Sequence, residues 1–159
     1  MSSPSLTVDV VSAVEGDSRW VEALDIRWEV FVVEQSVPAA LERDERDPEA
    51  DHVLARVDGV ATGTGRLLVE PPGFAGVDPG CGPVAHIGRL AVRAGARGHG
   101  IGAALVRALE AQAVARGLRV VYLGAQVHAV PFYERLGYTP YGEIFDDAGI
   151  EHRRMWRRV

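Results

Sequence analysis

Residues 85 to 116 read AHIGRLAVRAGARGHGIGAALVRALEAQAVAR, and this stretch decides the fold. Ala85 to Val92 is an apolar, strand-like run. Arg97-Gly-His-Gly-Ile-Gly102 is a glycine-rich loop. From about Ile101 to Arg116 the apolar residues Leu105 and Leu109 recur at helical spacing among small alanines, and Gly117 is placed to end the helix. Strand, glycine loop and helix in that order make an anion site. The first N–H groups of a helix have no partner within it, and the helix dipole concentrates positive charge there. Glycines let a phosphate come close to the backbone, and Arg97 can add a charged fork. The chain is therefore expected to bind a phosphate-bearing molecule.

Two familiar phosphate loops fit poorly. Gly98, Gly100 and Ala103 satisfy the dinucleotide spacing, but the strand from Arg119 to Gln126 carries no acid to hold a ribose. Gly-Lys-Ser/Thr is missing, which excludes the P-loop. A glycine turn that merely joins strand to helix would explain the loop taken alone.

The rest of the chain raises the specificity. Ile87-Gly-Arg-Leu-Ala-Val92 followed by Arg97-Gly-His-Gly-Ile-Gly102 resembles the acyl-CoA loop of the GNAT N-acetyltransferase superfamily, Gln/Arg-x-x-Gly-x-Gly/Ala after an apolar strand. Gln126-Val-His-Ala-Val-Pro-Phe-Tyr-Glu-Arg-Leu-Gly-Tyr138 resembles that superfamily's last motif, with Gln126 where many members have Asn. Arg27-Trp-Glu-Val-Phe-Val-Val-Glu-Gln35, His52 and Phe145-Asp-Asp-Ala-Gly-Ile-Glu-His152 are similar to the small bacterial ElaA/YjcF-like branch. The resemblance runs from about Arg27 to Met155.

It implies a mixed α/β fold, a central mixed β-sheet of about six to seven strands flanked by about four helices, in one acetyltransferase domain over residues 1–159. The sequence pattern agrees. Leu6 to Val14 is β-branched and strand-like. Asp17 or Ser18 can cap a helix with the apolar stripe Val21, Leu24, Trp28 and Phe31. His52 to Asp58 and Val60 to Glu70 read as a hairpin turning at Asp58-Gly59. Pro71 to Pro83 is a Pro/Gly loop. Arg119 to Ala125 is the next strand, Val130 to Leu136 a short helix ended by Gly137, and Tyr138 to Gly142 and Ile150 to Arg157 the last strands. Short connections predict parallel neighbours in the centre and antiparallel strands at the edges.

Composition narrows the function classes. At 159 residues, 47% apolar and 25% charged, the chain has the balance of one globular domain. No apolar run has membrane-span length, and Met-Ser-Ser-Pro-Ser has no signal-peptide pattern. The single Cys81 forms no internal disulfide and suits a cytoplasmic setting. A net charge of −5 argues against a nucleic-acid binder. Arg153, Arg154, Arg157 and Arg158 read as outward residues of the last strand. No Cys/His spacing suggests a metal, and Cys81 lacks a local partner to activate it.

The resemblance implies acetyl-CoA as cosubstrate and a primary amine of a small molecule or peptide as acceptor, without metal. The central strand would splay from the strand at 119 to 125, freeing backbone groups at Leu90, Ala91 and Val92 for the amide-bearing arm of CoA. Arg97, Gly98, His99, Gly100, Ile101, Gly102 and Ala103 would hold the pyrophosphate. Gln126, Ala129, Phe132 and Tyr133 complete the cofactor set. Tyr133 matches the family's general acid, though a packed core aromatic is the plain reading. Residues 84 to 92 carry no acid, so the base is open among Glu34, Asp44, His52, Glu143, Asp146 and His152. Glu34 leads as base or acceptor contact, with Asp44, His52, Glu143 and His152 as acceptor-binding candidates. His86 and His128 read as packing or surface residues. Glu42 to Asp51 holds six acids and two arginines, a formal −4. Such a run is usually a solvated loop; at the acceptor entrance it would favour a cationic amine. A non-catalytic acyl-CoA sensor and a nucleotide-binding oxidoreductase stay open as alternatives. The chain is compatible with a homodimer, and neither nucleic acid nor a membrane is an expected partner.

Overall fold

The computed structural model describes residues 3–159; Met1 and Ser2 of the opening stretch lie outside it. Seven strands form one sheet. They are β1 (Leu6–Val11), β2 (Asp51–Val57), β3 (Val60–Glu70), β4 (Val84–Val92), β5 (Val120–Gln126), β6 (Thr139–Asp147) and β7 (Ile150–Arg158). Their order across the sheet is β1-β2-β3-β4-β5-β7-β6. Every neighbouring pair is antiparallel except β4 and β5, so the parallel centre foreseen from the short connections is a single pair. The helices are α1 (Ser18–Arg27), α2 (Ala39–Glu42), α3 (Ile101–Ala115) and α4 (Val130–Arg135). None is long and apolar enough to cross a membrane.

The β2–β3 hairpin turns where Asp58 and Gly59 both take positive φ, 50° and 81°, the backbone of a tight primed turn. α3 lies across β2, β3 and β4 on one face and shares with them a core that includes Val53, Leu67, Ile87, Leu105 and Leu109. Gly63 permits that closeness: a Cβ there would sit 2.9 Å from Leu105 Cδ1 and 3.1 Å from the Ala91 carbonyl. α1 covers the other face over a smaller core of Val11, Trp20, Ala23, Ile26, Val30 and Leu54.

α1 corrects the expected stripe. Asp17 caps it, accepting from the Arg19 N–H at 2.8 Å. The buried positions are Trp20, Ala23, Ile26, Arg27 and Val30, whereas Val21 is 46% and Trp28 52% exposed. Leu24 and Phe31 are partly buried against the same core. The phase of the stripe is set by Arg27, a charged residue 1% exposed, because its guanidinium is fully paired inside the protein. Past α1 the chain widens into a π-helical turn, Trp28–Glu34. Such turns commonly border functional sites.

Two boundaries move. β1 stops at Val11, and β6 runs on to Asp147, with its register against β7 broken between Tyr141 and Phe145. Of the four C-terminal arginines, Arg153, Arg154 and Arg157 are half-buried, and Arg158 is exposed. Arg154 stacks on Phe145, with its Cζ 4.6 Å from the ring centroid, and Arg157 donates to Glu110 at 3.0 Å.

Candidate active site

The site begins where β4 and β5 part. Their ladder holds only Ala85–Val121, His86–Tyr122 and Ile87–Leu123. Beyond Ile87, β4 keeps its partner β3, but Arg89 and Leu90 both stand opposite Gly65, since Arg66 pairs with Gly88 and Thr64 with Ala91. This bulge bends β4, and Arg89 takes φ 52°, a left-handed conformation rare for a side-chain-bearing residue. The divergence opens a cavity of about 1160 Å³.

One half of the cavity is backbone. Leu90, Ala91 and Val92 line it, as do Arg97, Gly98, Gly100, Ile101, Gly102 and Ala103 from the loop and the first turn of α3. Gly100 caps α3 with φ 78° and offers no side chain. The first helical hydrogen bond is Ala104 N–H to the Gly100 carbonyl, so the N–H groups of Ile101, Gly102 and Ala103 remain for another acceptor. Arg97 donates from Nε to the Val92 carbonyl at 2.9 Å and from Nη2 to Glu34 at 2.7 Å. Gln126, Ala129, Phe132 and Tyr133 also line the cavity. Gln126 donates to the Gln35 side chain at 2.8 Å. His99 stands apart from this set: it is exposed, with Nδ1 3.3 Å from the Ala96 carbonyl.

Tyr133 is 9% exposed, and burial alone pushes its hydroxyl up to about 12. It therefore stays protonated at neutral pH. The hydroxyl makes no hydrogen bond with a protein group among the described residues.

The other half is built from side chains on the α1 face. Phe31, Arg66, Leu68, His86, Arg89, Tyr122, Phe145, Asp147 and His152 contribute. Sequence reasoning singled out only His152 among these as an acceptor residue. Its Nδ1 lies 2.7 Å from the Ile150 carbonyl, and its ring tilts against Phe145 at 5.7 Å. His86 packs between Phe74 and Tyr122, at 5.3 and 5.1 Å between ring centroids. Its Nδ1 is buried without a partner, and burial pulls its pKa down to about 4.

Three acceptor candidates lie elsewhere. His52 is 1% exposed, packed on Trp20, with Nε2 2.9 Å from the Asp47 carbonyl; burial lowers its pKa. It is a core histidine and does not reach the cavity. Glu143 is exposed on β6 away from it, and Asp44 backs the arginines that line it rather than lining it itself.

Five of the six acids of the run are also paired, and Glu45 is exposed. Glu42 holds Arg27, Asp47 holds Arg27 and Arg66, and Asp44 holds Arg66 through both oxygens at 2.8 and 2.9 Å. Asp51 holds Arg116, and Glu49 holds Arg46. The Arg66 guanidinium beside Asp44 holds its carboxyl down at about 2. The formal −4 is thus offset by Arg27, Arg66, Arg89 and Arg116 from outside the run, and the acids behind the cavity wall are paired.

The model of the acetyltransferase (GNAT) family matches residues 20–138. The chain belongs to this family. Among GNAT relatives, the Bacillus subtilis protein called uncharacterized N-acetyltransferase YjcF is 35% identical over 144 residues, spanning 90% of this chain and 95% of its own. Escherichia coli protein ElaA is 33% identical, with 89% of each chain covered. The crystal structure of an acyl-CoA N-acyltransferase from Pseudomonas aeruginosa superposes with a TM-score of 0.76 at 33% identity, over 96% of this chain and 99% of that one. The ElaA/YjcF resemblance and the mixed seven-stranded GNAT fold with four helices are as the sequence implied. GNAT membership supports acyl transfer as the activity.

Proposed function

We propose that the whole chain is one cytoplasmic N-acetyltransferase domain, moving the acetyl group of acetyl-CoA to a primary amine by direct attack. The observation that carries this is the joining of three features in one cavity: the uncapped N-terminus of α3, the splayed edge of β4 and the buried Tyr133. The thioester supplies an activated acyl carbon. The N–H groups of Ile101, Gly102 and Ala103 with the Arg97 guanidinium receive the pyrophosphate, and the free edge of β4 from Leu90 to Val92 receives the amide arm. Val92 offers its N–H more readily than its carbonyl, which Arg97 already uses.

In the transfer, the amine nitrogen bonds the acyl carbon and the carbon–sulfur bond breaks. A β4 N–H near the thioester oxygen stabilises the charge that builds there. Tyr133, kept protonated by burial, gives its proton to the departing thiolate. The amine must lose a proton to attack. Glu34 is engaged with Arg97 on the cofactor side. The proton acceptor is therefore sought among the side chains that face the other half: His86, which burial holds neutral at pH 7, His152 and Asp147.

The test is free-thiol release from acetyl-CoA with a panel of amines. Tyr133→Phe is expected to lower turnover about a hundredfold while acetyl-CoA affinity, measured by calorimetry, holds. Tight acetyl-CoA binding with no thiol released by any amine would leave the acyl-CoA sensor as the reading. Unchanged turnover in Tyr133→Phe would remove the hydroxyl from the mechanism.

A further inference from the structure

The acidic run supplies the network that surrounds Arg27, Arg66 and Arg89, yet it does not satisfy the three arginines equally. The Glu42 carboxylate goes to Arg27. Both Asp47 oxygens go to Arg27 and Arg66. Both Asp44 oxygens take the Nη atoms of Arg66 at 2.8 and 2.9 Å. Arg89 receives what remains. Its Nε donates to the Glu42 carbonyl at 3.0 Å, and its Nη2 reaches the Leu41 carbonyl and Asp44 at 3.3 Å each. Its distance to the Glu42 carboxylate is 4.0 Å. Nη1 has no hydrogen bond among the described residues.

Three further observations point the same way. Arg89 lines the cavity, and its side chain is only 26% exposed, so its charge is partly desolvated, with Asp44 at 3.3 Å shared with Arg66 and the Glu42 carboxylate at 4.0 Å committed to Arg27. Burial, then Arg66 and Arg27, lower its pKa, and Asp44 and Glu42 offset that only in part. Arg66, 6% exposed, lines the same wall with its Nε buried and unpartnered. Arg89 holds its strained φ of 52° at the bulge beside this wall, and such strain clusters at ligand-binding positions. The walls around it carry Phe31, Tyr122 and Phe145, while Asp147 lines the cavity from the end of β6.

We propose that the acceptor is an amine that also carries a carboxylate, received by the free Nη1 of the Arg89 guanidinium, with an apolar or aromatic body against Phe31, Tyr122 and Phe145. This rests on the N-acetyltransfer reading and narrows its acceptor. A carboxylate accepts charge-assisted hydrogen bonds from Nη1, and in a partly desolvated pocket it supplies a counter-ion that Arg89 does not share with Arg66. The class reverses the cationic acceptor that the acidic run suggested.

The test compares each protein amino acid with its own carboxamide, and both with spermidine, under the thiol assay. At least one carboxylate is expected to outrun its carboxamide by about ten- to a hundredfold in kcat/KM, the size of one charge-assisted hydrogen bond. Arg89→Gln should abolish that preference while acetyl-CoA affinity is retained, showing an intact fold. Arg89→Lys, with charge but no fork, should keep part of it. In parallel, calorimetry with 3-phenylpropionate, which has no amine, measures the subsite without turnover. Turnover of carboxamides or spermidine in preference to carboxylates, or a preference that survives Arg89→Gln, overturns the proposal and leaves acetyl transfer standing. No turnover with any amine, but 3-phenylpropionate binding that disappears in Arg89→Gln, supports the subsite and removes the transfer reading. Neither turnover nor binding overturns the subsite.

Discussion

On one wall of the cavity, α3 presents bare N–H groups from a loop of six consecutive residues. On the other, Arg66 and Arg89 are held by Asp44, Asp47 and Glu42, partners 19 to 47 positions away in the chain. The first wall needs little beyond glycines, a helix and a dipole. The second exists only when strands, α2 and the connection to β2 have all assembled. The cofactor half is thus locally encoded, and the acceptor half is a tertiary product whose stability and chemistry are coupled. That coupling can be broken from either side.

The largest effect should come from Asp47. It is 4% exposed and serves Arg27 and Arg66 at once. The nearby arginines hold its carboxyl below the usual carboxylate range although burial opposes them. Asp47→Asn leaves two buried guanidinium groups under-paired and is expected to cost about 3 to 5 kcal/mol of stability. Urea unfolding at neutral pH measures this as a lower midpoint at unchanged m. A midpoint within error of wild type would mean that the network does not hold the acceptor wall together.

His86 gives the next effect, as a pH dependence. Its folded pKa is about 4, against an ordinary value of 6.5. Between those values the unfolded chain binds a proton that the folded chain refuses, so stability falls as pH drops from 6.5 to 4. The full window is worth about 3 kcal/mol. His86→Leu should flatten this part of the stability profile relative to wild type, since carboxylate titrations common to both cancel. Parallel profiles would show that His86 is solvated enough to protonate in place.

These two residues also show where sequence reading stops. The glycine loop, α3, the Asp58-Gly59 turn and the ends of α3 and α4 at Gly117 and Gly137 are signalled by residues next to one another, and the structure places them within a residue or two of expectation. Arg27 is different. It reads as polar and outward, so the apolar residues Val21 and Trp28 set a false helix phase. Its burial depends on Glu42 and Asp47, 15 and 20 positions on. Arg66, His86 and Arg89 are lone polar residues in strands for the same reason. The acidic run is visible in sequence, but its sign at the site is not, because the arginines that offset it lie on α1, β3, β4 and just past the end of α3. A weak signal was present: Arg66, Glu70, His86 and Arg89 are the charged or imidazole residues of β3 and β4, whose other residues are apolar, small or threonine.

On the cofactor wall, Gly100 separates geometry from charge. Its φ of 78° penalises any side chain, but Asn and Asp tolerate that conformation best. Gly100→Asn and Gly100→Asp therefore share the strain and differ by one negative charge beside the pyrophosphate site. Calorimetry should show the Asp variant binding acetyl-CoA about tenfold more weakly than the Asn variant, as for one unfavourable charge near a helix N-terminus in a partly buried setting. Equal affinities would place the pyrophosphate away from this loop.

The smallest effect tests a contact that joins the two walls. Glu34 comes from the π-helical turn and holds Arg97 at 2.7 Å, with the two side chains 36% and 44% exposed. A pair this exposed is worth about 0.2 to 1 kcal/mol. A pyrophosphate competes with Glu34 for the same guanidinium, so Glu34→Gln should tighten acetyl-CoA binding by no more than about fivefold, and the gain should shrink as salt rises. Were Glu34 instead the base, the variant would lose turnover steeply with little change in acetyl-CoA affinity. The ratio of those two effects decides between them: tighter binding with turnover held places Glu34 on the cofactor side as a competitor for Arg97, whereas a fall in kcat alone returns it to the acceptor amine.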